Sequence, residues 1–501
     1  MANPRESRGQ RDARRRRRLL RRGGTVLAMV LVVVGVVQVV PVLRCGNIDP
    51  LSGLRSVEGE CVGVTDGSFE FDPAFREIQQ DIATENAWVS EQHQDEGTPA
   101  VKIALLSTLT PNSTSPLNRD QVRHGLEGVH VAQHRANRTR ELGDPQPLIQ
   151  LVLANEGSVQ QGWESTTDQL IDMTDDNIPL TVVMGQGIST ARTTAAARKL
   201  SDAGIPMVTG TTMADDLDND HIPGLIRAAP SNTDTAKAIR HYLDGQRQLR
   251  NGVLVYDTKA SDTFSSTLHD AFETELADYI RSSAQPFPGA SVDQGGPEVF
   301  DQISQNICLA ATDMVFFAGR APDFEVFLQS LGERPCRDDS PITTVFVDLG
   351  PNPRNEEGRT QLLQAGNMTV LHATGYDPEW ATGEVSAPEG FERFRSHFDK
   401  LVDGAPGSLE DGYAATNHDA MAAAIQAVRI TNPWQQEAPT AKDVREHLLL
   451  LNGVNAVVGA TGTLHFNANR GGNPGGKYVP VVVTPEPKDS ERTEPYVTPI
   501  E

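Results

Sequence analysis

Small hydroxyl side chains gather where one stretch of the chain, residues 181–232, breaks its apolar runs. Ser189 and Thr190 follow Gly185-Gln186-Gly187, and Thr209, Thr211 and Thr212 follow Pro206-Met207-Val208, with Met213 next in line. Hydroxyls beside the first free N–H groups of a helix can satisfy a carboxylate or another small polar anion. The same residues can equally be plain helix caps. Groups for covalent chemistry are missing. There is no GxSxG elbow, no GxxxxGK[ST] phosphate loop and no HExxH, and where a dinucleotide turn would need its third glycine, Thr190 stands instead. His418 has Asp419 beside it, but adjacent helical residues do not face each other, so packing on a surface or between lobes is expected. The acidic run Asp215-Asp216-Leu217-Asp218-Asn219-Asp220 lacks the Gly and Glu of a calcium loop and reads as solvated. No CxxC spacing supports a metal. The expectation is therefore a binding protein rather than an enzyme, with no catalytic residue, cofactor or metal.

The elements that must position these residues alternate regularly from Ala100 onward. Strand-like runs at 101–106, 148–153, 180–184 and from 206 are separated by helical patterns at 120–138, 159–172 and 193–203, the last closed by Gly204. Past Pro230 the pattern restarts, with helices over 232–249, 261–282 and 322–331 and strands over 252–256, 313–317, 343–347 and 368–374. Helices over 389–402, 412–430 and 440–451 and terminal strands over 462–467 and 478–483 follow. Such alternation predicts an α/β fold with parallel sheets in two similar halves. It puts Thr108, Ser189, Thr211, Arg320 and Asp348 at or just beyond strand carboxyl ends, where open α/β sheets bind ligands.

The flanks differ from this body. Net charge is −23, yet residues 1–24 carry ten Arg against Glu6 and Asp12, a net of +8 that leaves −31 for the remainder. A body this acidic argues against nucleic-acid binding. Residues 25–43 are an apolar run about as long as the roughly 20 residues a spanning helix needs. Arg14 to Arg18, Arg21 and Arg22 precede it, so the expected topology is a single-pass, uncleaved anchor in the cell membrane, with residues 1–24 cytoplasmic and the body extracellular. Residues 44–99 read as a juxtamembrane segment, irregular up to Phe71 with a helix over 73–92, and the Pro- and charge-rich residues 486–501 as a disordered tail. Four cysteines lie outside the membrane run. Two local disulfides, Cys45 with Cys61 and Cys308 with Cys336, are the economical reading of three possible pairings.

Seven segments, in order, carry a resemblance: VKIALLSTLTP, TVVMGQGISTARTTAAARKLSDAGIPMVTGTT, IRAAPSNTDTAKAIRHYL, GVLVYDTKASDTFSSTLHDAF, DMVFFAGRAPDFEVFLQSL, YAATNHDAMAAAIQAV and GATGTLHFN. Their series resembles the leucine/isoleucine/valine-binding family of type I periplasmic binding proteins. The resemblance implies two Rossmann-like lobes joined by three crossovers, the first from 100–228 and 373–457, the second from 229–372 and 458–485, closing on a ligand by a hinge motion. It implies that Ser189 binds a ligand carboxylate, with Thr190 beside it and Thr108 at the first strand's end, and that the Thr211 backbone serves the ligand. Met213 falls where amino-acid binders have a threonine, with Thr212 next door. Arg320 stands where an aromatic is common and favours a ligand with a second acidic group, and Asp348 would pair an ammonium. The implied role is capture of a small polar solute, an amino acid or amide, for an ABC-type permease; the alternative is a sensory domain signalling through a membrane partner.

Overall fold

The computed structural model describes residues 45, 53–113, 115–246, 248–259, 261–289, 298–349, 358–402, 407–431, 437–486 and 492–500. The basic tail 1–24 and the expected anchor 25–43 lie outside them. Among the described residues no helix is long and apolar enough to cross a membrane.

The chain folds into an α/β structure around two large sheets. The first contains β1 (Leu54–Val57), β2 (Glu60–Thr65), β3 (Ala100–Ser107), β4 (Leu148–Asn155), β5 (Leu180–Gly185), β6 (Met207–Thr209) and β7 (Leu225–Arg227), in the order β1-β2-β4-β3-β5-β6-β7. β3 to β7 are parallel, and β2 pairs antiparallel with β4. Helices α1 (Arg76–Glu96), α2 (Arg119–Arg138), α3 (Trp163–Asp172) and α4 (Ala191–Asp202) cover it. The second sheet is built from β8 (Gly252–Asp257), β9 (Gln285–Phe287), β10 (Met314–Ala318), β11 (Ile342–Val347) and β12 (Met368–Ala373), joined at one edge by antiparallel β16 (Val481–Thr484). Its helices are α5 (Asn232–Asp244), α6 (Thr263–Glu275), α7 (Glu298–Ala310), α8 (Ala321–Gly332) and α9 (Arg359–Ala365). The chain then returns to the first lobe through α10 (Glu379–Thr382), α11 (Phe391–Leu401), α12 (Tyr413–Thr431) and α13 (Ala441–His447). A small antiparallel sheet, β13 (Val457–Gly459), β14 (Gly462–His465), β15 (Gly475–Val479) and β17 (Tyr496–Val497), completes the fold.

The parallel strands are wholly buried β-branched and apolar runs, as strands covered by helices on both faces must be. The Ala-rich α12 is buried on almost every side, which explains why its sequence shows no apolar stripe. It lies so close to α2 that a Cβ on Gly128 would meet the Ala414 carbonyl oxygen at 2.0 Å.

Several expectations change here. Residues 53–71 are not irregular throughout. The hairpin β1–β2 extends the first sheet, and Phe75, just before α1, joins Ile78, Ile82 and Val89 of α1 in the core beside it. The tail is not irregular throughout, because β17 pairs with β15. β13 and β14 belong beside α12 rather than to the second lobe, since Asp419 of α12 accepts from the N–H groups of Ala460 (2.6 Å) and Thr461 (2.8 Å). The last passage between lobes therefore lies at Pro480, between β15 and β16. His418 and Asp419 do meet, Nδ1 to Oδ1 at 2.9 Å, and both are buried, with Arg135 Nη1 at 2.7 Å on the other ring nitrogen. Both expected disulfides, Cys45–Cys61 and Cys308–Cys336, are formed, with Cα–Cα distances of 5.3 and 5.6 Å.

Candidate functional site

Each large sheet has the same internal order: its second strand, its first, then the third, fourth and fifth. In such sheets the order reverses beside the first strand, and the crevice at the carboxyl ends there is the natural ligand position. In the first lobe that point lies between β3 and β5, and in the second between β8 and β10. The two points face each other, since Arg320 Nη2, just past β10, donates to the Ser189 carbonyl, just past β5, at 2.6 Å. The Ala191 N–H opening α4 donates to the Ser261 carbonyl at 3.2 Å across the same gap.

On the first-lobe side the chain turns sharply after β5. Gly185, Gln186 and Gly187 all take positive φ (91°, 61° and 61°), and a Cβ on Gly185 would come within 2.5 Å of Leu105 Cδ1. Gln186 carries the strain of a left-handed backbone without being glycine. Both atoms of its side-chain amide are buried without a partner among the described residues, as is Thr108 Oγ1. Ser189 Oγ accepts from the N–H groups of Met213 (3.0 Å) and Ala214 (3.1 Å). Thr190 caps α4 by accepting from the Thr193 N–H (3.1 Å), and its hydroxyl donates to Gln160 Oε1 at 2.6 Å. Gln160 Nε2 in turn donates to Glu156 Oε1 at 2.8 Å. Burial pushes the Glu156 carboxyl up to about 7, against the lowering influence of Gln160 and Arg192. The Thr211 hydroxyl donates to the Gly187 carbonyl, while Thr212 bonds inward to Thr209. Met213 is a core side chain.

The second-lobe side is dominated by Arg320. Its Nε and Nη2 both lie 2.8 Å from the Asp262 carboxylate, and its guanidinium carbon sits 4.4 Å from the Phe264 ring centroid. Burial opposes the charge, but Asp262, helped by Asp348 and Tyr413, outweighs it and raises the Arg320 pKa. Nε and Nη2 are thus both held by the chain itself. Asp348 and Arg320 both act electrostatically on the buried Tyr413 hydroxyl, whose pKa burial raises well above the ordinary value. The Asp348 carbonyl accepts from His372 Nε2 at 3.0 Å, if that nitrogen carries the proton. A narrow cavity at the first-lobe edge is lined in part by Ser107, Gln121, Gly187, Thr211, Tyr413 and Asn417.

The structure therefore brings Ser189, Thr190, Thr211, Arg320 and Asp348 to one interface and turns Thr212 and Met213 away from it. The sequence reading missed Asp262, Phe264, Tyr413 and Glu156. Asp262 was legible as a cap, because its side chain accepts from the Ser265 N–H at 3.1 Å just as Thr190 serves Thr193. Running the helix from Ser261 hid it. Among the described residues one group has metal-ligand spacing, His269, Asp270 and Glu273; it lies on α6, with both carboxylates exposed, and not in the run from Asp215 to Asp220.

No protein-family model and no curated protein matches the chain. Solved structures do. An ABC transporter substrate-binding protein from Desulfitobacterium hafniense superposes with a TM-score of 0.56 at 18% identity, over 79% of this chain and 99% of that one. The leucine-binding protein LivK from Thermotoga maritima gives 0.56 at 16% identity, over 80% and 99%. A solute-binding protein of an ABC transporter from R. palustris, solved with 4-hydroxybenzoate, gives 0.55 at 14% identity, over 80% and 98%. The fold is that of the type I periplasmic binding proteins. These neighbours are substrate-binding proteins, and at such identities they speak to the fold alone.

Proposed function

We propose that this chain is an extracytoplasmic solute-binding protein that holds a small polar ligand, an amino acid or amide, between its lobes for an ABC-type permease. The observation that carries the reading is the pairing of two sheet switch points whose polar groups complement a zwitterion. The first lobe offers the positive end of the α4 dipole and the hydrogen of the Ser189 hydroxyl, whose oxygen is already an acceptor twice over. The second offers the charge of the Arg320 guanidinium, and Asp348 beside Tyr413 adds negative potential. Thr108 and Gln186 add buried polar atoms that each cost about 1–3 kcal/mol unless something polar meets them. Residues 25–43 would anchor the body to the outer face of the cell membrane, with the Arg-rich residues 1–24 inside.

A thermal-shift screen against amino acids, amides, short-chain acids and hydroxybenzoate tests the proposal, using a protein that begins no later than Cys45 so that β1, β2 and the first disulfide are kept. At least one of these ligands is expected to stabilise the protein. Ser189→Ala should weaken that ligand's binding by about 1–3 kcal/mol. If no member of the panel raises the melting temperature, solute binding in this form is wrong.

A further inference from the structure

The final residues lie across the joints between the lobes, and no part of the ligand argument uses them. β17 adds to the free edge of β15 in antiparallel register, Tyr478 opposite Val497 and Val479 opposite Tyr496. The Thr498 N–H donates to the Lys477 carbonyl at 2.9 Å, and the Gly476 N–H to the Thr498 carbonyl at 3.0 Å. The Thr498 side chain is buried; it accepts from the Lys477 N–H (3.0 Å) and donates to the Pro474 carbonyl (2.8 Å). One residue beyond β15 the chain passes to the second lobe at Pro480, so β17 holds the last joint from its outer side.

The same segment reaches two further places. Arg492 Nη2 lies 2.5 Å from Asp377, and its Nη1 pairs with Glu379. Asp377 and Glu379 stand where the chain leaves β12 and re-enters the first lobe, and their side chains are only 5% and 14% exposed. Tyr496 sets its ring 6.0 Å from that of His241 on α5, in the second lobe. Asn467, past β14 on the first-lobe side, donates to the Ile500 carbonyl at 3.3 Å. Residues 492–500 thus touch two joints and both lobes.

Hinge motions are absorbed by a few residues in the connecting segments. A strand hydrogen-bonded on both edges bends less readily than one bonded on a single edge, and β15 has β14 on one side and β17 on the other. Rotation about the joints would also carry α5, with His241, away from Tyr496. We infer that the C-terminal segment is a clasp that holds the hinge near the closed angle and sets how far the lobes open. The inference needs the two-lobed fold but not a ligand, so it stands or falls separately from solute binding.

The test is a distance distribution in the ligand-free full chain in detergent. Arg198→Cys on α4 and Gln329→Cys on α8 place spin labels on exposed sites, one per lobe, and all four native cysteines are held in disulfides. Pulsed electron resonance on this parent should give a dominant short population and a minor, measurable longer one. Arg492→Gln should raise the open-to-closed ratio by about threefold or more, as expected from losing a partly buried ion pair. A chain ended at Glu486 should shift it further. Circular dichroism confirms that each variant is folded; if the shortened chain is not, Arg492→Gln alone decides. An unchanged distribution in folded Arg492→Gln overturns the clasp, whether or not any solute binds.

Discussion

Burial of Glu156 gives one residue a pH dependence whose sign can be worked out. Its carboxyl is raised from 4.5 to about 7 in the folded protein, mainly by desolvation, and Oε2 has no partner among the described residues. A raised carboxyl leaves stability intact below the unfolded value and removes it as pH climbs through the folded one. At pH 8 the ionised side chain should therefore cost the fold roughly 3 kcal/mol, from about 1.4 kcal/mol per unit. Glu156→Gln keeps an acceptor for Gln160 and removes the charge. It is expected to raise urea-derived stability at pH 8 by up to that amount and to change little at pH 4. Equal effects at both values would show that folding does not raise the carboxyl's pKa. Glu156 reaches Thr190 through Gln160, so the same titration bears on the cap of α4 beside Ser189.

At the scale of elements, the N-terminal hairpin and α1 decide where the first lobe begins. Below its pairing with β2, the outer edge of β4 is satisfied by side-chain amides. Asn86 donates to the Leu151 carbonyl (2.6 Å) and accepts its N–H (2.8 Å), and Asn137 does the same for Ile149 at 3.0 and 2.8 Å. A chain starting at Ala100 loses Asn86, the β2 edge and the buried side chains of Leu54, Val62, Phe75, Ile78, Ile82 and Val89. At about 1.5–3 kcal/mol for each large apolar side chain, the loss rivals the whole stability of a domain, about 5–15 kcal/mol. Such a chain should show no cooperative melt by circular dichroism, whereas one starting at Cys45 should; matching melts would refute this. The strands β3 to β6 and β8 were legible because buried β-branched and apolar runs stand out, whereas the three-residue β7 was missed. The hairpin was not, because its turn is Glu58-Gly59, at φ 51° and 87°, rather than the usual Asn-Gly or Asp-Gly. β17 was hidden for another reason: two residues in a Pro- and charge-rich tail become a strand only when β15 is present to pair with them. The hydroxyl half of the cleft was readable from local caps. On its partner half the resemblance named Arg320 and Asp348 but not Asp262, because the pairing of Arg320 with Asp262 spans 58 residues and is made by tertiary structure.

Across the whole molecule the two lobes repeat one strand order, and each buries a histidine that resists protonation. His130, on α2, and His372, in β12, are both lowered from 6.5 to about 4, chiefly by desolvation. Neutral burial of this kind gives stability that is complete above pH 6.5 and is lost as pH falls toward 4, because the unfolded chain takes up the proton first. Each group contributes roughly 3 kcal/mol over that window. With one histidine in each lobe, acid should weaken both together, and the protein should lose stability as a unit instead of shedding one lobe. The Glu156 effect runs the other way over an overlapping window, from pH 4.5 to 7, and offsets about one histidine's contribution there, so stability should peak near neutrality. Urea unfolding at pH 7 and pH 4.5, followed separately by tryptophan fluorescence and by far-ultraviolet dichroism, should give coincident transitions that shift together to lower urea. In a Glu156→Gln background, where the opposing carboxyl effect is gone, His372→Gln should shrink that acid shift without abolishing it, since His130 remains. Transitions that separate at pH 4.5 would mean that the joints at Pro230, Thr374 and Pro480 do not bind the lobes into one cooperative unit, and that the clasp at the C-terminus couples their angle without coupling their stability.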